Sequence, residues 1–282
     1  MVYIIILNFN NPDITIECLE SIKCLSFDDY RVILVDNAST DNSVAIFNEY
    51  LQVNHDIIFI TTQKNRGYAA GNNVALRYAL KQKDMEYCWI LNNDTIVDEK
   101  SLIRLYEFMV LHQDVGICGS QLVYEWDRNK IQGYGGYFNP VLARGSICKD
   151  IDMINRIDYV IGASVFVRRK FLEDIGLMSE DYFLYCEEID WAERAKGKYK
   201  IACVPESIVY HKEGASTGGR SVENRTMLSD YYQLRSRLLF TKKFYKKYLP
   251  IVYFTMICAI FNRIKRGQFK RIWMIIKVMI KT

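Results

Sequence analysis

The sequence lacks the signatures that would assign its class at once. No CxxC pair occurs among its eight cysteines, and several of them sit inside apolar runs. Buried thiols in a reducing compartment fit this usage better than zinc ligands or a disulfide frame. No GxGxxG follows the first apolar run, and Gly133-Tyr134-Gly135-Gly136 fails the pattern because Phe138 stands where the last glycine belongs. The GxxxxGK[ST] of a P-loop NTPase is missing too. No signal-peptide pattern opens the chain: Met1 leads straight into the apolar Val2–Leu7, and a cytoplasmic protein is expected. The uncharged run Tyr248 to Asn262 has 15 residues and contains Pro250. That is short of the ~20 needed to cross a bilayer. Acids are nearly absent from Asp230 on, where 13 Lys and Arg stand against that one acid, a net of +12; residues 1–229 carry −8. Two regions are therefore expected, an acidic body over 1–229 and a basic tail over 230–282. The acidic body argues against nucleic acid as the main ligand.

What is present is ample material for a core, since half of the 282 residues are hydrophobic. The first hundred residues alternate strand and helix. Apolar runs at Val2–Leu7, Val32–Val35, Ile57–Ile60 and Cys88–Leu91 read as strands. Helices are expected from Asp13, as cap, to about Cys24, then to about Leu51, then through Lys81. Repeated βαβ units predict a parallel sheet with helices on both faces. From about Val115 to Val167 short runs broken by glycine read as added strands, Ile157–Val167 among them. Gly162-Ala163-Ser164 inside that run allows a ligand, or another backbone, to come close.

Each early strand ends in polar residues: Asn8 and Asn10, then Asp36 and Asn37, then Asn65 and Arg66, then Asn92, Asn93 and Asp94. One such end is a turn. Four on one sheet edge form a ligand site. Asp94 is a hard oxygen donor suited to Mg²⁺ or Mn²⁺. Further on, Glu187, Glu188 and Asp190 lie within four residues in an aromatic setting. Apolar neighbours and like charges raise a carboxylate's pKa towards that of a general base; acids also simply favour a helix N-terminus. On a helix starting here, Glu187 and Asp190 share a face and Glu188 points elsewhere. His211 ends an apolar run and leads into a loop rich in glycine, Lys212 to Arg220. It is either structural or a second metal ligand beside Asp94, and the loop could close over a phosphate.

At this point the residues resemble a known family. Ile5-Ile6-Leu7-Asn8-Phe9-Asn10, Val35-Asp36-Asn37-Ala38-Ser39-Thr40-Asp41, Asn65-Arg66-Gly67-Tyr68-Ala69-Ala70-Gly71-Asn72-Asn73 and Leu91-Asn92-Asn93-Asp94 come in order. Gly162 to Arg169, Tyr185 to Trp191, and His211 with its loop follow. Over about residues 2–220 the chain resembles the family 2 glycosyltransferases, especially rhamnosyltransferase-like members that build bacterial surface polysaccharide. The resemblance implies an α/β, GT-A-type, Rossmann-like mixed sheet and inverting sugar transfer from a nucleotide-diphosphate donor, a UDP- or dTDP-sugar such as dTDP-rhamnose, to a glycan or lipid-linked acceptor. It implies Asp36 at the donor's base, with Asn8, Phe9, Asn65, Gly67, Asn72, Asn92 and Asn93 lining the donor pocket. Asp94 and His211 would hold Mn²⁺ or Mg²⁺, and Glu188 would be the base, with Glu187 and Asp190 beside it. Two departures stand out: Asn92 replaces the first Asp of the family's DxD, and Glu188 is one methylene longer than the usual Asp.

The tail begins as a basic helix near Tyr231. Gln268–Thr282 reads as a basic amphipathic helix, with Lys270, Lys277 and Lys281 on one side, Ile272, Ile276 and Met279 on the other, and Trp273 and Ile280 at the flank. Such helices lie in a membrane interface and favour anionic lipid, here the inner leaflet; the alternative is a homo-oligomer contact. Two rival functions remain. A sugar-nucleotide-forming nucleotidyltransferase would want a glycine-rich, Arg/Lys-bearing loop after the first strand, and Asn8-Phe9-Asn10-Asn11-Pro12 supplies none. A non-enzymatic lipid-binding protein would use the tail alone.

Overall fold

A computed structural model describes residues 1–212 and 226–282. The loop after His211 falls mostly outside the described residues, and its expected closure over a phosphate with it. In chain order the strands are β1 (Val2–Asn8), β2 (Tyr30–Asp36), β3 (Ile57–Thr61), β4 (Tyr87–Asn92), β5 (Thr95–Val97) and β6 (Val115–Tyr124). Then come β7 (Asp127–Gly133), β8 (Gly135–Asn139), β9 (Arg144–Cys148), β10 (Ser164–Arg168) and β11 (Lys200–His211). The helices are α1 (Pro12–Ile22), α2 (Ser43–Tyr50), α3 (Tyr68–Leu80), α4 (Ser101–Leu111), α5 (Arg169–Ile175), α6 (Glu187–Ala195), α7 (Met227–Phe244), α8 (Leu249–Lys265) and α9 (Phe269–Lys281).

Among the described residues one sheet of nine strands runs in the order β3-β2-β1-β4-β10-β6-β11-β5, with β7 pairing β6; β8 and β9 form a separate hairpin. The first four strands are parallel, as their βαβ repeats predict. Beyond them the sheet is mixed, because β10 enters antiparallel between β4 and β6. β1 is apolar throughout because both its faces are covered. Val2, Ile4 and Ile6 pack towards α1 and α4, while Tyr3 and Ile5 pack towards α3, α5 and α6.

Three local expectations need correction. Asp13 does not cap α1: Asn11 is the N-cap, Pro12 opens the helix with the fixed φ suited to that position, and Asp13 lies in the first turn. The strand expected over Ile157–Val167 begins only at Ser164; upstream, Tyr159 makes an isolated bridge to Gly136 of the hairpin. The boundary drawn at Asp230 falls inside α7.

The basic tail is a layer of three helices. Leu238 of α7, Val252 and Met256 of α8, and Met274, Ile275 and Val278 of α9 form its core with Ala143. The inner face of α9 is thus Met274, Ile275 and Val278, offset from the stripe expected from the sequence. Asp230, the tail's one acid, is buried and paired with Arg263 and Arg271.

Candidate active site

β1, β2 and β4 finish level. Asn8 stands opposite Asp36 in the register, and Leu7 opposite Asn92. Strand order reverses between β1 and β4, and the crevice beyond the C-terminal ends of such strands is where open α/β sheets bind ligands.

On the β1–β2 side the polar ends form a buried lattice. Asn8 Nδ2 donates to Asp36 Oδ1 at 2.9 Å, and Thr15 Oγ1 donates to Asn8 Oδ1 at 2.8 Å. Asp36 also accepts from the Ser39 hydroxyl at 2.6 Å and the Ser39 N–H at 2.9 Å. Asn8 is fully buried, so it orients Asp36 and the Ser39 turn from behind. Phe9, next to it, is exposed. Asn93 turns inward as well, donating to Thr15 Oγ1 at 2.9 Å.

The Asn65 segment is clamped from both sides. Asn65 Oδ1 accepts from the Gly67 N–H and from Asn37 Nδ2. Gly67 has φ +96°, and a Cβ there would stand 2.2 Å from the Phe183 carbonyl oxygen, so only glycine fits. The Tyr68 N–H donates to that same carbonyl at 2.9 Å, which ties the start of α3 to the segment leading into α6. Asn72 is fully buried; its Nδ2 donates to the Tyr68 carbonyl, and its Oδ1 has no partner among the described residues.

β5 pairs antiparallel with the end of β11, His211 opposite Thr95, and this brings His211 onto Asp94. His211 Nε2 lies 3.2 Å from Asp94 Oδ1, and both residues are buried. His211 Nδ1 is 2.9 Å from Gln132 Oε1 of β7. With Nδ1–H donating to Gln132, Nε2 presents its lone pair to a carboxylate oxygen, an arrangement that a cation between them relieves. Among the described residues no three His, Cys, Asp or Glu side chains converge. A cation here would take two protein ligands and complete its shell from water and substrate phosphate, as Mg²⁺ commonly does. The donor set fits. Asn92 is half-buried at the end of β4 beside this pair.

α6 supplies the acids. Its N-cap, Cys186, has φ +73° and Tyr185 has φ +71°, two consecutive left-handed residues that are not glycine. Such backbone is strained and persists only where the surroundings hold it. Immediately after, Glu188 lies against Gly162, where a Cβ would meet Glu188 Oε1 at 1.9 Å. The small residue at 162 is there for a carboxylate. Burial pushes the Glu188 carboxyl up from its ordinary value, against main-chain hydrogen bonds that hold it down. Glu187 is buried, its Oε1 without a partner among the described residues; burial first, and then the Glu188 charge, push it well up. The Tyr68 hydroxyl, donating to the Gly162 carbonyl at 2.8 Å, feels burial first and then the charges of Glu188, Glu187 and Asp94, all of which raise it. Tyr68 and Glu188 thus meet at Gly162, and the next residue, Ala163, accepts from the Asn92 N–H at 3.1 Å, two positions before Asp94.

Asp190, on the same helix, also has structural partners. It is fully buried, accepting from Tyr182 OH at 3.0 Å, Arg194 Nε at 2.7 Å and Lys243 Nζ at 2.7 Å. These three donors tie α6 to α7 through it, and its charge still adds to the rise of the buried Glu187. Sequence reasoning missed Gln132, Thr15, Tyr182 and Lys243. Gln132 and Lys243 reach His211 and Asp190 from segments far along the chain, whereas Thr15 and Tyr182 are near Asn8 and Asp190 in sequence but carry no motif.

Comparison with known proteins bears on this geometry. The family model for Glycosyl transferase family 2 matches residues 3–176. The poly-β-1,6-N-acetyl-D-glucosamine synthase of Staphylococcus epidermidis is 23% identical over 214 residues, 75% of this chain and 50% of the relative. The chain thus spans about half the length of that relative. Among solved structures, the mannosyltransferase PcManGT from Pyrobaculum calidifontis, in complex with GDP-Man and Mn²⁺, aligns with TM-score 0.58 at 15% identity, over 99% of this chain and 86% of that one. S. aureus TarS 1-349 in complex with UDP-GlcNAc aligns with TM-score 0.56 at 17% identity, over 84% and 65%. At such identities the likeness is one of fold, and the fold is of the GT-A type.

Proposed function

The chain belongs to glycosyl transferase family 2, and on that premise we propose that it moves a sugar, with inversion, from a nucleotide-diphosphate donor to an acceptor hydroxyl. The observation that carries this reading is that Glu188 and Tyr68 meet at Gly162, beside the end of β4 that leads to the Asp94–His211 pair. The relatives found with GDP-Man or UDP-GlcNAc support a nucleotide-sugar as donor class. We take the donor as a UDP- or dTDP-sugar, with a rhamnosyl donor the first to try. The acceptor is a glycan or lipid-linked hydroxyl of bacterial surface polysaccharide, met at the cytoplasmic face of the membrane.

The chain's own residues have these roles. Asp36, held by Asn8 and Ser39, offers a fixed carboxylate edge to the donor's base. Asp94 and His211 would hold Mn²⁺ or Mg²⁺, which would supply neutralisation of the leaving diphosphate's charge. Glu188 removes the proton from the acceptor hydroxyl as that oxygen attacks the anomeric carbon from the face opposite the leaving group. One in-line displacement inverts the configuration.

The test is a donor-hydrolysis and transfer assay with Mn²⁺, its donor chosen by a thermal-shift screen of UDP-, dTDP- and GDP-sugars. Glu188→Gln retains donor binding and loses turnover by roughly two to four orders of magnitude. Asp94→Ala loses metal-dependent activity. The base must be ionised to act and its carboxyl is raised, so wild-type turnover climbs with pH through a value above the ordinary glutamate range and then levels. The Gln variant lacks that limb. Full turnover in Glu188→Gln would remove Glu188 from the chemistry.

A further inference from the structure

The tail's outer surface carries an unusual load of exposed apolar side chains. On α8, Phe254 is 65% exposed, Ile257 41%, Phe261 60% and Ile264 49%. At 100° per residue these four fall within an arc of about 80°. On α9, Phe269 is 66% exposed, Trp273 67% and Ile280 78%. They share an arc of about 40°, opposite the inner face made by Met274, Ile275 and Val278. Both helices therefore have two apolar sides, one packed and one in solvent. Soluble surfaces rarely expose so many large residues together unless something covers them.

The charges around the stripes name what does. Exposed Lys246 and Lys247 precede α8, and exposed Lys265 and Arg266 close it. Lys270, Lys277 and Lys281 are exposed along α9. No acid follows Asp230, which is itself buried against Arg263 and Arg271. Two copies meeting here would bring two tails of net +12 together. A helix of 17 residues is about 25 Å long, and none in the described chain is long and apolar enough to cross a membrane. Aromatic and aliphatic side chains bracketed by Lys and Arg instead suit a helix lying in the plane of an anionic bilayer.

We propose that the outer face of α8, with Phe254, Ile257, Phe261 and Ile264 inserted between headgroups and α9's Phe269 and Trp273 beside it, is a docking surface for anionic lipid. This rests on the reading of a membrane-facing transferase, and it assigns the leading contact to α8, which the sequence offered only as a run too short to span. The two helices would then set the catalytic crevice at a fixed attitude to the bilayer.

The experiment is co-sedimentation of the full chain with vesicles of phosphatidylcholine alone and with phosphatidylglycerol added, for wild type, Phe254→Ser/Phe261→Ser, and Lys265→Gln/Arg266→Gln. Both positions in the first variant are exposed, so folding is checked simply by an unchanged thermal midpoint. Wild type should bind only the anionic vesicles. The double Phe variant should lose about tenfold or more in partitioning, and the charge variant should lose its preference for anionic lipid. If wild type binds and the Phe variant binds equally, α8 is not the docking face, while peripheral attachment through another surface stands. If wild type binds neither vesicle, attachment itself fails. If wild type is dimeric, and the Phe variant monomeric with no change in lipid binding, the face joins two copies and the proposal is overturned.

Discussion

At the scale of single residues, the sharpest constraint is Gly162. Its missing side chain is the space in which Glu188 Oε1 sits. Gly162→Ala must therefore displace the carboxylate, since the main chain at 162 is held by the Tyr68 hydroxyl just before β10 begins and cannot yield freely. Turnover should drop by about two orders of magnitude, a loss comparable to removing a general base. The loss should appear in kcat with little change in donor KM; an unaltered kcat would mean that the carboxylate relocates without cost. The sequence carried part of this. Small residues at 162–164 announced a close approach but not what approached, because the partner is contributed by α6, more than twenty residues on. The polar strand ends were legible for the same reason that turns are: polarity flips abruptly after an apolar run. Which of them face the crevice was not. Asn8 and Asn93 look like Asn92 in the sequence, yet both are turned inward by Thr15, a residue with no marking of its own.

At the scale of elements, α6 and α7 behave as one piece. Asp190 and Lys243 join them, Phe183 stacks on Tyr232 at 4.3 Å, and the Ser236 hydroxyl donates to the Leu184 carbonyl at 2.8 Å. The Tyr185 hydroxyl meets the Ser229 hydroxyl at 2.6 Å. These contacts hold the two left-handed residues in place. Asp190→Asn leaves Lys243 and Arg194 facing a neutral amide in a buried site, which should cost about 3 kcal/mol. Denaturant unfolding should show that loss, while kcat well below the transition stays near wild type. Loss of turnover at unchanged stability would return Asp190 to the chemistry. The βαβ units were readable because their apolar periods are local. The antiparallel insertion of β10 and the clasp of α7 were not, since long-range pairing leaves no period in the sequence.

At the scale of the whole molecule, the basic region is no appendage. α9 contributes Met274, Ile275 and Val278 to a core shared with α7, and α7 holds the segment that leads into Glu188. Removing residues 268–282 uncovers these partners. Each buried side chain of this size is worth ~1.5–3 kcal/mol, so the thermal midpoint should fall and turnover should decline while donor affinity changes little. A truncated chain with unchanged midpoint and kcat would show that the two regions are independent. The clasp also bears on how the enzyme comes into being. Every strand described is complete by His211, so a ribosome that has made only that far has synthesised every strand of the sheet and its polar ends. It has not made α7. In order of synthesis the polar strand ends therefore precede the helix that clasps the segment leading into Glu188.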